Sequence, residues 1–177
     1  MTDKKVWNEQ LKMEEKNRQR VNRILAHDFY KENVRLNEEA EKGGGFCRHD
    51  MVHFLDVARI AQILNLKEQQ HVETELIYAA ALLHDIGRHM QYKEGTPHEI
   101  ASAQLAVPIL SDCGFDDKET SVILRAISNH RIEKTALEPG LEGLLYRADK
   151  LSRNCFACKS EKKCDWEGDK KNMCLIW

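Results

Sequence analysis

The sequence contains only three prolines, few runs of β-branched residues and no long apolar stretch. Because β-branched residues are what strands favour, their scarcity leaves little of the chain for a sheet, and the pattern predicts helix nearly throughout. A membrane span would need ~20 consecutive apolar residues, and residues 1–7 lack the apolar core of a signal peptide. We therefore expect a soluble, cytoplasmic protein that does not bind membranes.

A large charge of one sign is also missing. The chain carries 27 basic and 29 acidic residues, which gives a net charge of -2. Nucleic acids and anionic membranes attract proteins that have a positive field, so the composition does not favour a nucleic-acid duplex as a partner. A small negatively charged substrate would need a local basic patch or a metal ion to hold it.

At 177 residues the chain has the length of one domain with its own core. We predict an all-α fold, in which a helical bundle follows a long N-terminal helical region and precedes a short cysteine-rich tail. The N-terminal region, residues 1–45, ends in three glycines that should break the helix. The core spans residues 46–153 and the tail residues 154–177. The apolar seam of the N-terminal region is thin, which leaves a homodimer open, and it consists of Val21, Ile24, Leu25, Phe29 and Leu36.

Apolar residues at helical spacing predict five helices in the core. These begin near Arg48, Gln70, His98, Asp116 and Leu141, and the first two end near Leu64 and Ile86. Residues 88–97 are polar and predict a loop. Pro108 should kink or end the helix that begins at His98, because proline lacks the N–H that a helix interior needs.

The strongest local signal is an apolar stretch, Leu82-Leu83, that ends in the adjacent pair His84-Asp85. A buried unpaired charge is costly. A bound metal would offset that cost, because imidazole and carboxylate are good ligands for iron, manganese and zinc. The alternative is an ordinary helix end with a hydrogen-bonded histidine, and the chain contains two other His-Asp pairs.

Further ligand-type side chains lie on the buried sides of the other predicted helices. They are His53, His98, His130 and Asp149. By periodicity, four helices therefore direct such a side chain toward one interior region. This convergence favours a metal site over separate buried histidines.

The order His53, His84-Asp85, Asp149 resembles the H…HD…D signature of the HD superfamily of metal-dependent phosphohydrolases. Three local contexts are similar as well: His53-Phe-Leu-Asp-Val57-Ala58, His84-Asp85-Ile86-Gly87 and Tyr146-Arg-Ala-Asp149-Lys150. The resemblance covers about residues 46–153. It implies a bundle of five or more helices around a metal site.

His98 and His130 lie where binuclear HD proteins have two further histidines. In this respect the chain is similar to the branch that hydrolyses diadenosine tetraphosphate symmetrically and uses iron. The resemblance implies one metal held by His53, His84, Asp85 and Asp149, and a second bridged by Asp85 and completed by His98 and His130. One metal or two stays open; iron or manganese is favoured, with magnesium, nickel, cobalt and zinc as alternatives.

The resemblance implies hydrolysis of a phosphate ester or anhydride, with a small phosphorylated substrate that we take to be a nucleotide. The candidate catalytic residues are Asp85, His49, Arg88 and Lys150, and the next cationic candidates are Arg48, Arg131 and Arg147. His49 is either a proton donor or a substrate contact. Two other functions stay open: a di-iron enzyme that uses oxygen on the same scaffold, and a non-catalytic sensor of a nucleotide or metal.

The tail contains four of the six cysteines, Cys155, Cys158, Cys164 and Cys174. In a reduced compartment they are expected to be thiols or metal ligands rather than disulfides. A Cys-x-x-Cys pair suits zinc, and an iron–sulfur cluster is the second option. Cys47 is a candidate ligand from outside the tail, and a set of free thiols is the alternative.

Overall fold

The computed structural model describes residue 15, residues 18–42 and residues 47–175. The predicted break at glycines 43–45 and most of the charged segment before residue 18 lie outside the described residues. The predicted all-α class is confirmed, because the described residues form helices and no strand. The helices are α1 (18–26), α2 (Asp28–Ala40), α3 (Met51–Lys67), α4 (Thr74–Leu83), α5 (Arg88–Glu94), α6 (His98–Cys113), α7 (Asp117–Asn129) and α8 (Gly140–Leu151).

Helix α4 is the centre of the bundle. It contacts α3, α6, α7 and α8, and its residues from Ala79 to Leu83 are all fully buried. A helix that is apolar on every side is stable only where other helices surround it. Because α4 ends at Leu83, the turn that carries His84 and Asp85 begins inside the core. Among the described helices, none is long and apolar enough to cross a bilayer.

The turn after α4 passes very close to α6. A Cβ atom added to Gly87 would lie 2.5 Å from the backbone nitrogen of Ser102 and 2.7 Å from the Cβ of Ala101. The Gly87 N–H also donates a 2.9 Å hydrogen bond to the Ser102 hydroxyl. Only glycine allows this approach, which fixes the His-Asp turn against α6.

The predicted loop at 88–97 is wrong in its first part, because Arg88–Glu94 forms α5. This segment is polar, yet its residues are compatible with a helix, and it packs against α2 and α6. His89, for which a surface position is the default, is buried there. Gly95, with φ of 77°, then ends the helix in the left-handed conformation.

Pro108 does not end α6, which continues past it to Cys113. Proline leaves the carbonyl four residues earlier without its helical donor. Both Pro108 and Gln104 lie on the exposed side of α6, so water can reach that part of the backbone. The predicted start of the next helix is confirmed by a capping box between Asp116 and Glu119.

The N-terminal helices bury a face that is partly polar. Ile24 and Tyr30 enter the core, whereas Phe29 of the predicted apolar seam is 41% exposed. Asn37 is fully buried, donates to the Asp85 carbonyl at 2.8 Å, and accepts from the His89 N–H at 2.8 Å. Helix α2 is therefore attached to the His-Asp turn by hydrogen bonds more than by apolar contact.

Candidate metal centre

Six side chains converge at the end of α4, from α3, α6, α7 and α8 and from the turn that follows α4. They are His53, His84, Asp85, His98, His130 and Asp149, which the sequence predicts as one site. They form two groups of three, and within each group one donor atom per residue lies within 4.8 Å of the others. We call these the first trio (His53, His84, Asp149) and the second trio (Asp85, His98, His130).

The first trio joins α3, the end of α4 and α8. The Nε2 atoms of His53 and His84 are 3.2 Å apart. The Asp149 Oδ1 atom lies 3.6 Å from Nε2 of His53 and 3.9 Å from Nε2 of His84. Three donors around one point suit a cation of the kind that imidazole and carboxylate bind.

The second trio lies beside the first. The Nε2 atoms of His98 and His130 are 3.2 Å apart. Oδ1 of Asp85 is 3.1 Å from the His98 nitrogen and 3.5 Å from the His130 nitrogen. His98 is the first residue of α6 and His130 is the C-cap of α7, so both side chains enter the core from helix ends.

Asp85 faces both trios at once. While Oδ1 faces the second trio, Oδ2 lies 3.5 Å from Nε2 of His84 and 3.8 Å from Nε2 of His53. Its Oδ1 atom is buried and has no hydrogen bond of acceptable geometry, although imidazole nitrogens are near it. A buried carboxylate oxygen without a donor is costly, and a cation between the trios would satisfy it.

Each of the four histidines has a partner for its other ring nitrogen. The Nδ1 atoms of His84 and His130 donate to the carbonyls three residues earlier, at 2.8 Å and 2.6 Å. Nδ1 of His98 donates to Oε1 of Gln91 at 2.6 Å. These bonds fix the tautomer in which Nε2 offers its lone pair to the centre.

The fourth histidine uses a hydroxyl. The Ser152 hydroxyl donates to the Asp149 carbonyl at 2.7 Å, so its oxygen accepts from Nδ1 of His53 at 3.2 Å. Ser152 therefore ties the first-trio histidine to the helix that carries the first-trio carboxylate. Hydrogen bonds of this type, to the ring nitrogen of a histidine that does not face the ion, are typical of metal sites.

The electrostatics favour neutral histidines and ionised carboxylates. Burial lowers the pKa of His84 to about 3 and also lowers the pKa values of His53 and His98. Burial alone would raise the pKa of Asp85, but the neighbouring imidazoles of His84, His130 and His98 lower it well below its usual value. Neutral imidazole and ionised carboxylate are the forms that bind metals.

For Asp149 the same balance holds. Burial acts to raise its pKa, and the positive charge of Lys150, followed by that of His84, outweighs burial and lowers the pKa. Nζ of Lys150 pairs with the Asp149 carboxylate and lies 3.4 Å from the His130 carbonyl. The donor set, its protonation and the orphaned Asp85 oxygen fit one or two divalent metal ions.

Residues 51–154 match the family described as HD domain, which is more than half of the chain. The chain belongs to the HD domain family. A protein of Clostridium beijerinckii described as uncharacterized is 44% identical over 158 residues, covering 89% of this chain and 99% of that protein. The ribonuclease Y of Enterococcus faecalis is 26% identical over 140 residues, covering 78% of this chain and 24% of the nuclease. No solved structure matches the chain.

His49 lies at the edge of the HD site, with a partner that the sequence pattern does not reveal. Its Nδ1 is 2.7 Å from Oε1 of Glu41, and its backbone N–H donates to Oε2 at 3.0 Å. Its Nε2 is 3.8 Å from Oδ2 of Asp85. Glu41 stands outside the HD motifs at the end of α2, so only the tertiary fold brings it here.

Arg88 also lies beside the centre, as predicted for a substrate contact. Its Nη1 atom is 3.4 Å from Nε2 of His98 and 3.8 Å from Oδ2 of Asp85. Its Nη2 atom donates to the hydroxyl of Tyr92 at 3.2 Å, and Tyr92 in turn donates to Glu41 at 3.3 Å. These contacts hold the guanidinium at the edge of the two trios.

The remaining cationic candidates either pair with other groups of the protein or are exposed. Arg147 donates to the Ala136 carbonyl and pairs with Glu68. Arg131 is half exposed and lies 3.5 Å from Glu99. Arg48 is exposed. Their contacts do not include the six predicted ligands, in contrast to those of Arg88 and Lys150.

Four of the cysteines form a cluster, and Cys174 lies apart from it. Cys47, Cys155, Cys158 and Cys164 line one pocket together with Glu161 and Lys171. Cys174 of the predicted tail set is exposed and is not among the lining residues. The structure therefore brings Cys47 into the group in the place that the sequence pattern gives to Cys174.

Proposed function

We propose that this HD domain protein is a phosphohydrolase that uses two divalent metal ions to cleave a phosphate ester or anhydride of a nucleotide. The position of the Asp85 carboxylate carries the proposal. Its two oxygens face different pairs of imidazole nitrogens, at 3.1 Å and 3.5 Å on one side and 3.5 Å and 3.8 Å on the other. A single carboxylate in that position would be a ligand of both cations, together with the imidazoles of the two trios.

Two close divalent ions supply Lewis acidity and activate water for attack on phosphorus. The protein contributes placement and charge. Four imidazoles, each fixed through Nδ1, present Nε2 to the centre, and Asp85 and Asp149 stay ionised to offset the cations. Because the side chains are buried and held in place, little reorganisation is needed when charge develops on the phosphoryl oxygens.

Arg88 is the residue that we assign to the substrate phosphate. Guanidinium groups match the geometry of phosphate oxygens and keep their charge. Its contacts with His98 and Asp85 place that charge at the edge of the metal centre rather than in solvent. Lys150, by contrast, is already paired with Asp149, so its role is to keep that carboxylate ionised.

His49 is the residue that we assign to proton transfer. Glu41 holds Nδ1, so Nε2 is oriented toward the centre, 3.8 Å from Asp85. A carboxylate behind an imidazole fixes the orientation of the ring. From this position His49 can donate a proton to the oxygen that leaves phosphorus, which is a common role of histidine.

The substrate that fits best is a small nucleotide. The relative from Enterococcus faecalis is named a ribonuclease, so one member of the family that resembles this chain acts on RNA. This chain has a net charge of -2 and two cationic side chains at its centre, Arg88 and Lys150. A long polyanion needs an extended basic surface, whereas one or two phosphates need only the metals and Arg88.

The test is metal content together with turnover. Protein purified without added metal under anaerobic conditions is loaded with iron or manganese and assayed with dinucleoside polyphosphates, nucleoside triphosphates and a short RNA. We expect about two metals per chain at the HD centre and hydrolysis of a nucleotide. His84→Ala should abolish both, and His130→Ala should retain one metal and lose activity by roughly 100-fold or more.

His71→Asn is the matched control, because His71 is exposed and asparagine accepts its left-handed backbone. It should keep both metals and full activity. Metal binding without hydrolysis of any substrate would refute the proposed activity. Oxygen consumption by the ferrous protein would then favour an oxygen-dependent enzyme, and nucleotide binding alone would favour a sensor.

A further inference from the structure

The cysteine pocket lies apart from the two trios and has no part in the proposed hydrolysis. Four of the six side chains that line it are cysteines, which come from both ends of the HD core: Cys47 before α3, and Cys155, Cys158 and Cys164 after α8. Thiolates gathered in this way are typical ligands of zinc or of iron–sulfur clusters. The pKa of Cys47 is raised by burial and by the nearby charges of Cys155, Cys158 and Cys164, which agrees with their closeness.

The backbone around these cysteines is held by specific hydrogen bonds. Cys155–Ala157 and Glu161–Lys163 form short 3-10 turns, each closed by the N–H of the next cysteine along the chain. The Asn172 side chain donates to the carbonyls of Lys150, Leu151 and Arg153. The backbone carbonyl of Asn172 accepts from the Phe156 N–H at 3.0 Å. The tail is thus folded back onto the end of α8, and the pocket is part of a built structure.

A cation accompanies the thiols. Nζ of Lys171 donates to the carbonyl and the carboxylate of Glu161, both at 2.9 Å, and both residues line the pocket. The nearby charges of Cys164 and Cys155 contribute to raising the pKa of Lys171, after its bond to Glu161. A centre with four thiolates carries excess negative charge, which a fixed lysine partly neutralises.

The spacing of the thiols distinguishes between the two kinds of centre. Around a single zinc ion, Zn–S bonds of about 2.3 Å place neighbouring sulfurs ~3.8 Å apart. Among the described residues, the two groups of three donors within 4.8 Å are the HD trios, and neither contains a cysteine.

We propose that Cys47, Cys155, Cys158 and Cys164 bind a thiolate-ligated metal centre, and that its occupant is a [4Fe–4S] cluster. Each thiolate of such a cluster binds a different iron, so the sulfurs stand farther apart than around one ion. Cys47 precedes His53 by six residues, and Cys155 follows Asp149 by six residues. Such a centre would link α3 and α8, the two helices that carry His53 and Asp149 of the first trio.

The test measures iron, zinc and acid-labile sulfide per chain in protein purified under anaerobic conditions. We expect about four sulfides per chain, with matching iron beyond that of the HD centre, and the visible absorption of a cluster. Cys47→Ser and Cys155→Ser should lose most of the sulfide. Cys174→Ser is the matched control and should keep it, because Cys174 lies outside the pocket. His84→Ala should also keep the sulfide, which separates this centre from the HD metals.

A second measurement needs no variant. In the intact protein, alkylation should modify Cys174 quickly and spare the four pocket cysteines until the metal is removed. Circular dichroism shows whether each serine variant keeps its helices. One zinc per chain, lost from the same variants, would overturn the cluster. The site would be overturned if Cys174 and the four pocket cysteines were alkylated equally and no serine variant lost metal.

Discussion

Gln91 provides the sharpest test of the two-metal arrangement, because it touches only one of the six predicted ligands. Its Oε1 atom accepts from Nδ1 of His98 at 2.6 Å and from the His98 N–H at 3.2 Å. In Gln91→Ala the imidazole of His98 loses the partner that fixes its tautomer. Loss of the hydrogen-bond partner of a metal-binding histidine typically weakens metal binding by about 10–100-fold, or ~1.4–2.7 kcal/mol.

We therefore expect Gln91→Ala to weaken the binding of the metal at the second trio and to leave the metal at the first trio in place. Elemental analysis after dialysis against buffers of graded free manganese would show one metal lost at ~10–100-fold higher free concentration than in wild type. Gln91→Glu keeps the acceptor oxygen and should keep the affinity. Loss of both metals together, or of neither, would refute the assignment of His98 to a separate cation.

The reciprocal prediction concerns Ser152, whose hydroxyl accepts from Nδ1 of His53 at 3.2 Å: Ser152→Ala should weaken only the first-trio metal in the same dialysis. Asn37→Ala should lower the free energy of unfolding by about 1–3 kcal/mol for each of the two buried backbone groups it leaves unpaired, measured by urea titration, whereas exposed Glu38→Ala should change it by less than ~0.5 kcal/mol. Gly87→Ala should cost about 1–3 kcal/mol through overpacking against α6, while Gly168→Ala, where an added Cβ meets nothing within 4 Å, should not. The metal-free protein should lose stability as the pH falls from 8 to 5. In the unfolded chain His84 becomes protonated near its ordinary pKa of ~6.5, whereas in the folded chain the pKa of His84 is about 3 and the ring stays neutral. Unchanged urea midpoints across that pH range would contradict this prediction.

The central helices were predictable because their apolar periodicity reflects the packing that stabilises them. The His-Asp pair was predictable as part of a site because it follows a stretch, Ala79 to Leu83, that no exposed helix could carry. The cap at Asp116 and Glu119 is a local pattern that acts within one turn, so sequence alone suffices to find it. These features share one property, which is that their causes lie within a few residues of one another.

The features that sequence analysis missed depend on contacts between distant segments. Helix α5 is short and polar, so its stability comes from α2 and α6 rather than from periodicity. Glu41 reaches His49 only because α2 packs beside the His-Asp turn. Cys47 was already a candidate ligand, but its place in the thiol pocket and the exclusion of Cys174 depend on the tail folding back toward the start of α3. Partners of this kind have no spacing rule, since the fold alone determines which atoms meet.

Asn37 donates to the Asp85 carbonyl and accepts from the His89 N–H, which implies that the smallest functional unit is larger than the HD match at residues 51–154. A fragment that begins at residue 51 would retain all six trio side chains. The turn that carries Asp85 would nevertheless lose its hydrogen bond from Asn37. The fragment would also lose Glu41, and with it the orientation of any proton donor at position 49. Any shortened or transplanted version of this metal centre should therefore include helix α2.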